Sequence, residues 1–291
     1  MRKAFLQLHL AIFLAGFTGI LGRLISLNEG LLVAWRLLIS SVTMWILFSI
    51  TGKLQQISWK DRLNIFLTGG IAAVHWVCFF GSIKYANISV ALVCFSAMGF
   101  FTALLEPLVL RKRLVVVELL LGVLVMAGIF LIFHFDPQYK KGILFGLFSA
   151  LNGALFPIFN RQFMQRMNAP TLITWELSGG FIFLLLLLPV YFQGFQPAYW
   201  WPTGTDLFWL LVLSWLCSVW AFQLSANALK KISAFTVNLM YNLEPVYGII
   251  LAFAVYQENK YLGLSFYAGL FLIVLAVALQ TWRVYRSRSI H

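Results

Sequence analysis

The residues of this chain best suited to chemistry lie inside hydrophobic runs. Lys230 to Tyr256, KKISAFTVNLMYNLEPVYGIILAFAVY, reads as one apolar helix whose middle carries Asn238, Tyr241, Asn242 and Glu244, followed by Pro245. A carboxylate near the centre of a bilayer costs about 2.5 to 3.5 kcal/mol on insertion scales, so it faces a partner or a wet cavity. Pro245 has no backbone N–H and releases the carbonyl of Tyr241 from the helix ladder. Together these predict a polar floor where Glu244, with Asn238 and Tyr241 within two turns, binds a solute's polar group or a coupled proton. The alternative is a carboxylate that pins one helix to another.

Other polar residues sit at comparable depth. His75 lies beside Trp76 in AAVHWVCFF, and its imidazole can change charge in the physiological range; the competing reading is a satisfied packing residue. Trp76 and Trp220 are candidates for the aromatic walls of a solute pocket, or for lipid-facing and packing roles. Asn152, Gly153 and Pro157 again combine a polar residue with a helix breaker, which predicts either a second cavity wall or a kink. Arg36 and Glu176 are read as gating residues, each closing its own side by meeting a partner in one conformation; the alternative is anchoring or snorkelling.

These residues must be positioned by helices in lipid. Of 291 residues 62% are hydrophobic and 10% charged, too apolar for one water-soluble core. The net charge of +12 is spread in short clusters between apolar runs and not over one face, so no nucleic acid is expected as a partner. Cys78, Cys94 and Cys217 have neither CxxC nor CxxxC spacing, so no metal or disulfide is expected. A spanning helix needs about 20 mainly apolar residues. Ten such segments follow one another, near 4–24, 30–50, 62–84, 88–110, 115–134, 141–161, 170–192, 205–229, 233–256 and 261–282.

Orientation follows from the cations. With a cytoplasmic amino terminus that side receives Arg2, Lys3, Lys53, Lys60, Arg62, Arg111, Lys112, Arg113, Arg161, Arg166, Lys230, Lys231, Arg283, Arg286 and Arg288. The other side receives Arg23, Lys84, Lys140, Lys141 and Lys260. This asymmetry predicts both termini in the cytoplasm.

The halves resemble each other. Gly122, Ala127, Gly128, Phe130, Leu131 and Ile132 match Gly263, Ala268, Gly269, Phe271, Leu272 and Ile273 at one offset of 141 residues. Nearby offsets pair Trp35-Arg36 with Trp175-Glu176, Trp76 with Trp220, and Ile88-Ser89 with Ile232-Ser233. Five spans per half is odd, so the second copy enters from the opposite side. The expected fold is all-α: an integral membrane protein of ten helices in two inverted five-helix repeats, residues 1–137 and 138–291.

NISVAL (Asn87 to Leu92), KISAFT (Lys231 to Thr236), the Leu-Glu-Pro triplets ending at Pro107 and Pro245, and the basic RKRL after the fourth span resemble the EamA type of the drug/metabolite transporter superfamily. The resemblance covers essentially the whole chain. It implies a secondary transporter of a bacterial cytoplasmic membrane, moving a small metabolite such as an amino acid, outward, by alternating access. The two Glu-Pro pairs are not repeat equivalents, since Glu106 sits late in its span and Glu244 centrally. The chain has no GxxxxGK[ST] loop, no HExxH and no GxSxG elbow, so ATP hydrolysis is not expected and no cofactor is called for. An intramembrane enzyme or a channel using the same polar centre are the alternatives.

Overall fold

The computed structural model describes residues 2–111, 113–229, 231, 240–241 and 243–288. Among these residues the secondary structure is helical and contains no strand. The elements are α1 (Arg2–Leu24), α2 (Glu29–Ile50), α3 (Trp59–Tyr85), α4 (Ile88–Phe95), α5 (Met98–Leu110), α6 (Val116–Phe135), α7 (Lys140–Phe163) and α8 (Ala169–Tyr191). They are followed by α9 (Gly204–Ser214), a π-helical turn (Trp215–Trp220), α10 (Ala221–Leu229), α11 (Glu244–Tyr256) and α12 (Leu264–Arg288). With α4 and α5 counted together, and α9 to α10 likewise, nine helical stretches among the described residues are long and apolar enough to cross a membrane. The shorter apolar helix α11 stands beside them.

Short polar residues punctuate the apolar runs. The side chain of Asn28 accepts from Gly30 N at 2.8 Å, Asn87 from Val90 N at 2.8 Å, Ser58 from Asp61 N at 3.1 Å and Asn168 from Thr171 N at 2.9 Å. Thr203 and Asp206 form a reciprocal capping box at the start of α9. Each satisfies a first-turn amide that hydrocarbon could not.

Two breaks depart from the sequence reading. The fourth span divides at Ser96–Ala97 into α4 and α5. In the ninth, α11 begins at Glu244, so Pro245 occupies the first helical turn, where its missing N–H removes no intrahelical bond. The single continuous helix read from the sequence is therefore replaced by a helix start at mid-run. Asn238, Asn242 and most of the KISAFT segment lie outside the described residues.

Helices meet where glycines let backbones touch. A Cβ built on Gly69 of α3 would lie 2.2 Å from the Glu176 carbonyl oxygen of α8 and 2.7 Å from Gly180 N. Gly128 of α6 and Gly269 of α12 face each other in the same way, at 2.6 and 2.4 Å from the opposite carbonyl oxygen. Gly16 of α1 meets the Glu244 carbonyl and Gly248 N of α11, both at 3.0 Å. Close backbone approach of this kind is how helices gain packing energy in lipid. Around these crossings α3 packs on α7 and α8, α2 on α8 and α9, α1 on α10 and α11, α4 and α5 on α7, and α6 on α12.

One end of the bundle is closed by charge. Glu258, 3% exposed, accepts from Arg23 Nη1 at 2.7 Å, Ile88 N at 3.1 Å, Ser89 N at 2.9 Å and Ser89 Oγ at 2.6 Å. Nearby, Asp206 accepts from Ser26 N at 2.7 Å, while Glu29 accepts from Tyr191 Oη at 2.6 Å and Tyr85 Oη at 3.2 Å. Residues distant in the chain are thus tied together at this end. At the opposite end Asn168 N donates to Gln55 Oε1 at 2.8 Å, Arg161 pairs with Glu106 at 2.9 Å, and Arg166 with Asp61 at 3.4 Å.

Replacing Gly69 with leucine is expected to destabilise the protein by roughly 1–3 kcal/mol or more through overpacking against α8. Gly194→Ala, at a position with nothing within 4 Å of an added Cβ, serves as the control. Thermal unfolding in detergent measures both; equal melting temperatures would show that the α3–α8 crossing tolerates separation.

Candidate functional site

Arg36 stands near the middle of α2 and is 6% exposed, so its guanidinium does not reach a membrane surface. Its Nε donates to Ser218 Oγ at 3.1 Å, and its plane lies over the Trp76 ring, Cζ 4.7 Å from the centroid, with the Phe80 ring at 5.8 Å. Nη1 is buried and has no hydrogen-bond partner. A buried charged donor left unsatisfied costs upwards of about 1–3 kcal/mol. The π turn of the eighth span provides the contact. Its wider winding lets Ser218 Oγ reach the carbonyl of Leu213 at 3.4 Å while accepting from Arg36, and Ser214 Oγ donates to the Arg36 carbonyl at 3.4 Å. Single π turns recur at functional sites for this reason: they redirect side chains without ending the helix.

Glu244 approaches the same place from the other half of the chain. It opens α11, its backbone is held against Gly16 of α1, and its side chain is half-buried. Its carboxylate and the Arg36 guanidinium are opposite charges contributed by the two halves of the chain. Among the described residues no direct ion pair links them. Tyr241, one turn earlier, is half-buried, shares a 2.5 Å hydrogen bond with Ser225 Oγ and feels the Glu244 charge. Asn238, expected to complete this group, lies outside the described residues.

His75 is 6% exposed, and the Arg36 charge reaches it. Its Nδ1 lies 2.8 Å from the Ser149 carbonyl and 3.0 Å from Ser149 Oγ, while that hydroxyl donates to the His75 carbonyl at 2.9 Å. The carbonyl partner assigns the neutral ring's proton to Nδ1 and leaves Nε2 as the acceptor. Phe79, Phe95, Phe156 and Trp76 surround the ring, and Gly153 lets it lie against α7. Ser149 is buried at 1%, with its hydroxyl bonded to a main-chain oxygen, so the pair is not an exposed nucleophile and base.

The remaining candidates divide. Trp76 is half-buried and forms the platform under Arg36. Trp220 is 44% exposed at the end of the π turn, and no ring or cation stack joins it to Arg36. Asn152 is half-buried and donates to the Phe148 carbonyl one turn back at 2.8 Å. Glu176 is buried against α7, where Asn160 Nδ2 donates to its two oxygens at 2.9 and 3.0 Å. Arg36 and Glu176 thus belong to different neighbourhoods. The sequence does not mark Ser218, Ser225 or Ser149, because a hydroxyl in an apolar helix, with no charge and no helix breaker beside it, carries too little signal; Asn160, beside Arg161, reads there as the polar end of its span. Among the described residues no three His, Cys, Asp or Glu side chains come together as metal ligands.

What this centre can do is bind: one fixed cation, one carboxylate, aromatic faces and hydroxyls meet inside an apolar bundle. Comparison with known proteins agrees in kind. The EamA-like transporter family model matches residues 2–134 and 140–282. An uncharacterized transporter of Bacillus subtilis, YdfC, is 26% identical over 188 residues, covering 63% of this chain and 61% of that protein. An uncharacterized transporter of Archaeoglobus fulgidus is 26% identical over 151 residues, covering 50% and 53%. The chain therefore aligns with between half and two thirds of the length of these relatives. A protein of known crystal structure superposes with a TM-score of 0.64 at 17% identity, covering 98% of this chain and 99% of that one, a likeness of fold alone. With nearly all of both halves matched, the chain belongs to the EamA-like transporter family of the drug/metabolite transporter superfamily and is a multi-pass membrane protein.

Proposed function

We propose that the chain is a secondary transporter of the bacterial cytoplasmic membrane that exports a small amphipathic metabolite, such as an amino acid, by alternating access. In this reading residues 1–137 and 138–291 are two inverted five-helix repeats, both termini are cytoplasmic, and the solute binds between the repeats. The observation that carries it is a cation buried inside the bundle, Arg36 of the second span, lying over Trp76 and held by Ser218 of the eighth span, with the carboxylate of Glu244 opening a helix inside the ninth apolar run.

Support for the repeat comes from the helix contacts. The packing of α1 on α11 has its mirror in α4 and α5 on α7; α2 on α9 has its mirror in α3 on α8; α1 on α10 has its mirror in α3 on α7; and α6 on α12 maps onto itself. That last pair crosses at Gly128 and Gly269, the positions related by the 141-residue offset. The fourth and ninth spans also end alike, on left-handed non-glycine residues, Arg111 with φ 51° and Gln257 with φ 53°. The family match falls in two stretches that follow the same division.

In such a machine the Arg23–Glu258 closure is a gate on the non-cytoplasmic side. It takes the part first assigned to Arg36 there, whose partners lie deeper; Glu176, bonded to Asn160, is kept as the counterpart toward the cytoplasm. An enzyme reading is disfavoured because the one serine–histidine contact of the centre is sealed from solute. A channel is disfavoured because the polar groups collect at one depth and do not run along several helices.

Glu244→Gln is expected to leave thermal stability within about 1 kcal/mol of the parent, while lowering counterflow of a transported solute in proteoliposomes at least tenfold. Full counterflow by this variant would remove Glu244 from the mechanism. Conversion of solute by the purified protein in detergent would favour the enzyme, and flux without counterflow the channel. A second prediction concerns the gate. With a cysteine introduced as Phe95→Cys, Glu258→Gln is expected to raise labelling by a membrane-impermeant maleimide added on the non-cytoplasmic side several-fold. An unchanged rate would mean that the ion pair only braces the helices.

A further inference from the structure

We infer that the solute carries a carboxylate and that Arg36 is the residue that holds it, which makes Arg36 the specificity-determining group of the central site. The inference rests on the transporter reading given above and names the chemistry of that same site.

The contrast with the other buried charges makes the case. Glu258 has four donors on its carboxylate. Glu176 has the Asn160 amide across both oxygens, and Glu29 has two tyrosine hydroxyls. Each has protein donors on its carboxylate, as a buried charge kept for structure does. Arg36 is buried as deeply, yet among the described residues its donors find one partner, Ser218 on Nε, and Nη1 is buried with none. A structural arginine would turn that edge to backbone carbonyls or to a carboxylate.

The geometry favours a planar anion as the missing partner. The guanidinium carbon lies over the Trp76 and Phe80 rings, 4.7 and 5.8 Å from their centroids, and Ser218 accepts from its Nε. The terminal nitrogens are left as a rigid fork, which matches the two oxygens of a carboxylate. Among the described residues Glu244 makes no ion pair with Arg36 and so does not occupy its terminal nitrogens. A solute whose carboxylate takes the fork would lay its apolar part along Trp76 and the nearby Phe95 ring, both half-buried.

The test is counterflow in proteoliposomes with a series of matched pairs: alanine, leucine, phenylalanine and 3-phenylpropanoate, each against its amide. The wild-type protein is expected to carry at least one acid with a kcat/KM at least tenfold above that of its amide. Arg36→Gln is expected to reduce that ratio to near one while still moving the amide. Arg36→Lys, which keeps the charge but loses the fork, should retain a preference for the acid at a higher KM; it also serves where the glutamine variant does not fold. Parity of acid and amide in the wild type, transport of amides alone, or an acid preference unchanged in Arg36→Gln would each overturn the assignment while leaving a transporter. Absence of counterflow for every solute in the series would overturn the carboxylate assignment as well; transport of an unrelated solute blocked by Glu244→Gln would then show the transporter reading standing without it.

Discussion

Every amide and every charge in this chain has to find its partner without bulk water, and most of the structure follows from that constraint. Helices satisfy the backbone internally, so the regular secondary structure of the described residues is helical. With little hydrophobic drive between helices in lipid, contact comes from shape. Glycine pairs at Gly16 and Gly248, Gly69 and Gly180, and Gly128 and Gly269 bring main chains together. The same constraint explains the polar caps at Asn28, Ser58, Asn87, Asn168 and Thr203, each closing a helix start with its own side chain.

Charge is handled differently at the ends and at the centre. At one end, acidic groups from the links between helices are saturated: Glu258 by Arg23 and the first turn of α4, Asp206 by Ser26 and its own cap. Capping the α4 amino terminus with a carboxylate from a distant loop also uses the favourable end of the helix dipole. Such contacts hold the end together while remaining breakable, because all are hydrogen bonds between separate elements. At the centre no ion pair joins Arg36 to Glu244 among the described residues, and part of the arginine is left without a protein partner.

Backbone irregularity gathers where the charge is. The π turn Trp215–Trp220 and the helix start at Glu244 both lie inside long apolar runs. Non-helical or loosened backbone at membrane depth is tolerated where protein or a wet cavity satisfies it. Here Ser218 of the π segment and Ser214 at the end of α9 bond Arg36, and Glu244 and Tyr241 flank the helix start. Side chains and backbone irregularities thus point to one region, reached by α2 from the first half and by the π turn and α11 from the second.

The sequence alone determined the class, the run of spanning segments and the family. Hydropathy placed the second span at 30–50 and the fourth at 88–110, against Glu29–Ile50 and Ile88–Leu110 observed, because lipid demands a fixed length of apolar helix. It marked Glu244, Arg36, His75 and Trp76, since a charge or an imidazole in an apolar run stands out whatever its neighbours are. Tertiary structure decided which of them meet. Arg36 lies against Trp76 and Ser218 and faces Glu244, whereas Glu176 is bonded to Asn160, Asn152 to its own helix, and Trp220 is largely exposed. The break at Ser96–Ala97, the π turn and the start of α11 at Glu244 were hidden too, because helix packing and not local propensity decides where an apolar helix can part. Hydropathy measures transfer of a residue to lipid; partnership across a bundle depends on rotation about each helix axis, which only the packed helices fix.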